Sequence, residues 1–157
     1  MSKAAYEDRT GLEKVQSQWH KLTGLHTREE WSAAIVRAAT AAELAANFAI
    51  REEFRARGEF ETKFVDTLLV WANGLAGKMN HLLIPLNAGK KHSGKIKKLK
   101  AASDKINNAR NSIAHQGKFS SKDEAIATIQ QTREFIESLV RLYEPGFGLK
   151  DQKQSKD

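Results

Sequence analysis

Residues 109–117 read ARNSIAHQG and place Arg110, Asn111 and His115 within six consecutive positions. These residue types suit one kind of chemistry. Histidine gives and takes a proton near neutral pH. Arginine stays cationic, and its planar fork matches the oxygens of a phosphate. An asparagine one turn before the histidine can orient the ring or bind phosphate itself. Together they could move protons at a phosphate ester. An Arg and a His at a helix end are more often solvated surface, so the elements that hold them decide the matter.

The pattern predicts a helix from about Lys95 to Gln116, stopped by Gly117 at the position after the cap. Leu99, Ala102, Ile106, Ala109 and Ile113 recur at three and four and form its buried stripe. Asp104, Asn108, Asn111 and His115 recur in the same way and fall roughly opposite. Arg110 sits between the faces, about 140° around the axis from His115. One straight helix does not easily aim both at a point. A break near Gly117, an extended arginine side chain or a second copy of the helix facing the first would do so.

The rest of the chain also reads as helix. It has 157 residues with two prolines and many Ala, Leu, Lys and Glu, and neither alternating strands nor repeats stand out. A first helix is expected over about 6–23, with Leu12, Val15 and Trp19 on one face and Gly24 as its stop. Thr27 and Glu30 form a capping-box pattern opening a second helix to about Arg57. Its stripe is Trp31, Ile35, Ala38, Ala42, Ala46 and Ala49, with Leu44 and Phe48 opposite. Apolar on more than one side, it belongs at the centre of a bundle or at a subunit interface. A third helix starts near Glu61 and carries Phe64, Leu68, Leu69 and Trp71. Gly74 and Gly77 bend or break it, and a turn resumes at Met79–Leu83 until Pro85 ends it. A second capping box, Ser121 and Glu124, opens the last helix, with Ala125, Ile129, Phe135, Ile136, Leu139 and Leu142 inward. Residues 145–157 read as a flexible polar tail. The expected architecture is a single all-α domain of 1–157.

Lys plus Arg is 26 and Asp plus Glu is 19, a net charge of +7 that favours polyanions. Without cysteine, disulfides, thiol nucleophiles and Cys-ligated metals are excluded. No leader-like segment opens the sequence, and no apolar run approaches the ~20 residues of a membrane span. The expectation is a soluble, cytoplasmic protein with no membrane partner. No P-loop, dinucleotide-binding, HExxH or GxSxG motif is present.

With the motif and its helical setting in view, a resemblance becomes specific. RNSIAH resembles the R-x4-6-H motif of the HEPN superfamily (higher eukaryotes and prokaryotes nucleotide-binding domain), including the polar Asn111 after the Arg. The Ala-rich stretch AAIVRAATAAELAANFAIREEF is similar to the central helix of many members. The likeness covers about residues 27–144. It implies a four-helix up-down bundle, here preceded by an N-terminal helix. Many members are metal-independent endoribonucleases that need no cofactor and act as homodimers, two motifs facing each other in a cleft. They serve as bacterial toxins, antiviral defence effectors or RNA-processing enzymes. Carried over, His115 and Arg110 become the catalytic pair, with Asn111 in support. RNA is then cut by its own 2′-hydroxyl, leaving 2′,3′-cyclic phosphate and 5′-hydroxyl ends. One departure is Gly117. Toxins paired with a nucleotidyltransferase antitoxin often carry Tyr there, so modification of that Tyr by a partner antitoxin is not expected.

Other residues carry weaker expectations. Glu43, Asn47 and Asn108 are candidate auxiliary residues. Glu43 is open to three roles: an exposed charge, a partner for a basic residue, or a group near the motif. Lys91, Lys95, Lys97 and Lys98 are candidate RNA-phosphate contacts in the most basic stretch, though such runs are usually solvated. The histidines outside the motif have no metal-ligand spacing, and Trp19, Trp31 and Trp71 read as core. Beside the ribonuclease, a catalytically inert HEPN dimerisation or RNA-binding module within a larger assembly, and a simple RNA-binding bundle, remain open. An antitoxin or a defence-complex partner fits either HEPN reading.

Overall fold

A computed structural model describes residues 10–27, 30–72 and 74–151. The described residues are helical, with no strand among them. In order they form α1 (Gly11–Thr27), α2 (Trp31–Arg57), α3 (Thr62–Trp71), α4 (Leu75–Gly77), a π-helical segment (Lys78–Leu83), α5 (Ile84–Leu86), α6 (Ser93–Gln116) and α7 (Lys122–Val140).

The Ala-rich α2 lies at the centre and packs against α1, α6, α7 and the π segment. Ala34, Ala38, Ala41, Ala42, Ala45, Ala46 and Ala49 are all fully buried. With only a methyl group at these sites, neighbouring helices approach on several sides at once. By length and composition alone α2 could cross a bilayer, with a mean hydropathy of 1.3 over its most apolar window. The sequence reading of no membrane-length run missed this. The position of α2 inside the bundle accounts for the same apolarity. Val15, Trp19 and Leu22 of α1 and Phe135, Ile136 and Leu139 of α7 close the core around it.

Several expected boundaries move. Gly24 does not stop α1, which continues to Thr27. A helical glycine costs only ~1 kcal/mol relative to Ala, and Leu25 packs onto the core beyond it. Thr27 therefore sits in the last turn of α1, and α2 opens at Trp31 after Glu30, not at a Thr27 capping box. The N-terminal part of the first expected helix, residues 6–9, lies outside the described residues. Pro85 does not end its helix but lies inside the final turn. It follows the wider π turn, where the regular ladder of amide bonds is already broken. By contrast, the Ser121 hydroxyl accepts from the Glu124 amide at 3.2 Å, as its capping motif predicts.

Residues 145–151 are not a free tail. Leu149 is buried and Phe147 packs on the core. The Gln16 side chain donates to the Lys150 carbonyl and accepts from the Lys150 amide, at 2.7 and 3.0 Å. Trp19 Nε1 donates to Asp151 at 2.9 Å, and Arg133 pairs with Asp151 while lying over the Trp19 ring. Polar composition hid two apolar anchors. The remainder, 152–157, lies outside the described residues.

Trp71 is also misplaced by its helical spacing, being 81% exposed. α3 buries only Val65 and Leu69. That leaves Phe64, Val70 and Trp71 on its outer side.

Candidate functional site

α6 runs unbroken through the motif and ends where Gly117 takes a left-handed conformation, φ 63°. The Lys118 amide turns back to the Ser112 carbonyl at 3.2 Å. His115 thus stands in the last turn, with Asn111 one turn earlier.

A cavity of about 490 Å³ opens along this part of α6. Asn107, Arg110, Asn111 and His115 form one wall. Ala39, Thr40 and Glu43 of α2 form the floor opposite, and residues 74–77 close the side. Gly74 holds φ 83°, a left-handed value that turns the chain into α4 after the end of α3.

One chain is therefore enough to bring Arg110 and His115 to one cavity. With Asn107 as reference, Asn111 lies at about +40°, His115 at about +80° and Arg110 at about −60°. Arg110 reaches back across this arc, and its Nη1 donates to Asn111 Oδ1 at 3.3 Å. Of the three devices considered from the sequence, the reaching arginine side chain is the one seen within a single chain. The motif face is also not opposite the core. Ile96, Ser103 and Ile106 are the buried residues of α6, and the cavity opens beside them. Both Arg110 and His115 are exposed to solvent.

Glu43 combines two of its three expected roles. It lines the cavity, and its Oε1 accepts from Lys78 Nζ at 2.7 Å. The Lys78 side chain is only 5% exposed and comes from the π segment. A lysine so deeply placed needs a carboxylate partner, because an isolated buried charge is costly. Glu43 is thus neutralised by Lys78, whereas Arg110 has no acidic partner among the described residues. The cavity is left with a net positive character suited to an anion.

Other expected positions fall outside. Asn108 is exposed and does not line the cavity, whereas Asn107 does. Asn47 is also absent from the lining, and its Oδ1 is buried with no hydrogen-bond partner. Lys95, Lys97 and Lys98 are exposed at the opposite end of α6, and Lys91 is exposed in the turn before it. Lys95 is ~30 Å along the axis from His115. Their neighbour Lys90 pairs with Glu53 at 2.9 Å instead.

Sequence reasoning missed Asn107, Thr40 and Lys78. Asn107 lies three and four positions before Arg110 and Asn111, a spacing that marks a shared face. Lys78 left a signal as well, being the one charge in the apolar run LAGKMNHLL. Among the described residues no three His, Asp or Glu side chains converge as a metal-binding group. Comparison with family models, with curated proteins and with solved structures gives no match to this chain.

Proposed function

We propose that this chain is a metal-independent endoribonuclease of HEPN type, in which Arg110, Asn111 and His115 cut RNA. One observation carries the reading: the three motif side chains line one wall of a single cavity that has a spare positive charge. The 2′-oxygen attacks the adjacent phosphorus, and the bond from phosphorus to the 5′-oxygen breaks. One proton leaves the 2′-hydroxyl and one is delivered to the 5′-oxygen. His115 serves one of these transfers, and His115 of a second copy serves the other in a homodimer. Arg110 holds the non-bridging oxygens as negative charge grows on them. Asn111 fixes the guanidinium through the hydrogen bond already present. The bundle is read as the HEPN four-helix arrangement preceded by α1. The setting is the bacterial cytoplasm, where the enzyme acts as a toxin or antiviral defence effector. An antitoxin or defence-complex partner would restrain it.

A second reading is an inert HEPN module that docks RNA or another copy through this face. The exposure of Arg110 and His115 favours it, since an open cavity suits a macromolecular surface. Incubation of mixed RNA with EDTA separates the two, using wild type, Arg110→Ala and His115→Ala proteins of verified fold. Cutting that survives EDTA, leaves cyclic-phosphate ends and vanishes in both variants supports the enzyme. Binding by all three proteins with no cutting supports the module. Equal cutting by all three removes Arg110 and His115 from the chemistry.

A further inference from the structure

The lysines ahead of the motif do not form one patch. With Asn107 again as reference, Lys100 falls at about +20° on α6, Lys97 at about +80° and Asp104 at about +60°. These angles match those of Asn111 and His115. Lys97, Lys100, Asn107, Asn111 and His115 therefore run down one side of a single unbroken helix. Lys95 and Lys98 lie about 100° or more outside that arc. They share the flank of Ala109 and Ile113, which face α7 across a separate depression.

We infer that Lys97 and Lys100 form the outer end of a strand-binding track along α6, so that the candidate site takes single-stranded RNA lengthwise. The inference rests on the ribonuclease reading and adds the footprint, its direction and the lysines that serve it. Lys97 and Lys100 are exposed and have no ion-pair partner among the described residues. Two other lysines are already paired: the buried Lys78 is held by Glu43 and the exposed Lys90 by Glu53. From Lys97 to His115 the helix rises ~27 Å. Phosphates of one strand are spaced by ~3.4 Å when stacked and up to about twice that when extended, so the track spans about four to eight nucleotides. A single strand, with its backbone and bases free of a partner, is the form of RNA that can follow one side of a helix. Asp104 is the one carboxylate on the track, and its charge opposes the strand.

The test uses labelled 2′-O-methyl oligoribonucleotides of two to twelve residues, which lack the attacking hydroxyl and cannot be cut by this route. Binding is read by fluorescence anisotropy across a salt series. Affinity should rise with length to between four and eight nucleotides and then level off. Each phosphate contact to a single strand contributes about 0.7 to the salt slope. Lys97→Gln with Lys100→Gln should therefore flatten the slope by about 1.4 and weaken binding roughly 25-fold at 0.1 M salt. Lys95→Gln with Lys98→Gln makes the same change in net charge and should leave binding within about twofold, as position and not charge total decides. Asp104→Asn should tighten it. Equal loss in both lysine pairs overturns the track, as does a length plateau at two nucleotides or tighter binding of a duplex. Wild-type cutting of ordinary RNA, measured in parallel, separates the outcomes: a lost track with intact cutting leaves the ribonuclease reading standing.

Discussion

At the scale of single residues, the hydrogen bond from Arg110 to Asn111 sets what each can do. Asn111 lies on the arc between the arginine and the histidine, nearer the histidine, so its amide oxygen draws the guanidinium toward the cavity. Asn111→Ala should lower kcat while leaving KM within a few-fold, because a loosened guanidinium loses most in the transition state. Arg110→Lys should restore little of the activity lost in Arg110→Ala, since an ammonium cannot reproduce the planar fork. Steady-state cleavage of a fluorogenic oligoribonucleotide reads both. Glu43 invites a different experiment. Glu43→Gln leaves the Lys78 charge in place without its carboxylate, whereas Lys78→Met removes the charge and keeps a linear apolar side chain. Discounted for the one-third exposure of Glu43, the first change should cost about 1–3 kcal/mol of stability and the second markedly less. Urea melts giving the reverse order would show that the lysine's packing matters more than its charge.

At the scale of elements, α6 does most of the positioning and Gly117 decides where it stops. A Cβ at Gly117 meets no other atom within 4 Å, so only the backbone resists substitution. Gly117→Ala should cost ~1 kcal/mol, the penalty for placing an L-residue in the left-handed region. A lowered melting temperature with an unchanged helical circular dichroism spectrum would register it. Much of α6 was legible because its stop is a glycine and its core positions keep a regular spacing. The direction of its polar face was not. Asn107 and Asn108 differ by one step, about 100°, and only the position of α2 and the 74–77 segment tells which of them faces a cavity. Pro85 misled for a related reason: sequence rules describe a regular ladder, and the preceding π turn is not one. The placement of α3 was equally hidden. Its apolar positions satisfy a helical stripe, yet Phe64 and Trp71 remain outside.

At the scale of the molecule, distant segments are tied by a small number of polar links. Glu53 of α2 accepts from Tyr143 at 2.7 Å and from Lys90 at 2.9 Å. Burial pushes the Glu53 carboxyl up. The hydrogen bonds from Tyr143 and Lys90, with the charges of Lys90 and Arg57, outweigh it and leave the pKa below its ordinary value. The stability this provides is present above the unfolded pKa, about 4.3, and is lost as pH falls through the folded value. Burial, and then the bond to Glu53, hold the Tyr143 hydroxyl well above its usual range. Its contribution is present below about pH 10 and is lost as pH rises through the folded value. Tyr143→Phe should therefore move the acid edge of a Tm-against-pH curve upward and remove this contribution from the alkaline edge. The same economy appears where the Trp19 indole meets Asp151, a link that a composition-based reading of the polar C-terminal segment could not reveal.

The alanines of α2 have a consequence for what variation the protein tolerates. In most cores the large side chains are the sensitive positions, and small ones are filler. Here the fully buried small positions lie on a helix that packs against α1, α6, α7 and the π segment. Ala42→Leu or Ala46→Leu should cost about 1–3 kcal/mol through forced displacement of neighbours. A conservative exchange such as Leu139→Met should cost less than about 1.5 kcal/mol. A saturation library selected for folded protein would then show an inverted profile along the chain, with enlargement purged at the alanines of α2 and modest exchange accepted among the leucines and isoleucines around them. Drift in such a lineage would be recorded in the outer helices, while the middle one keeps its plain composition.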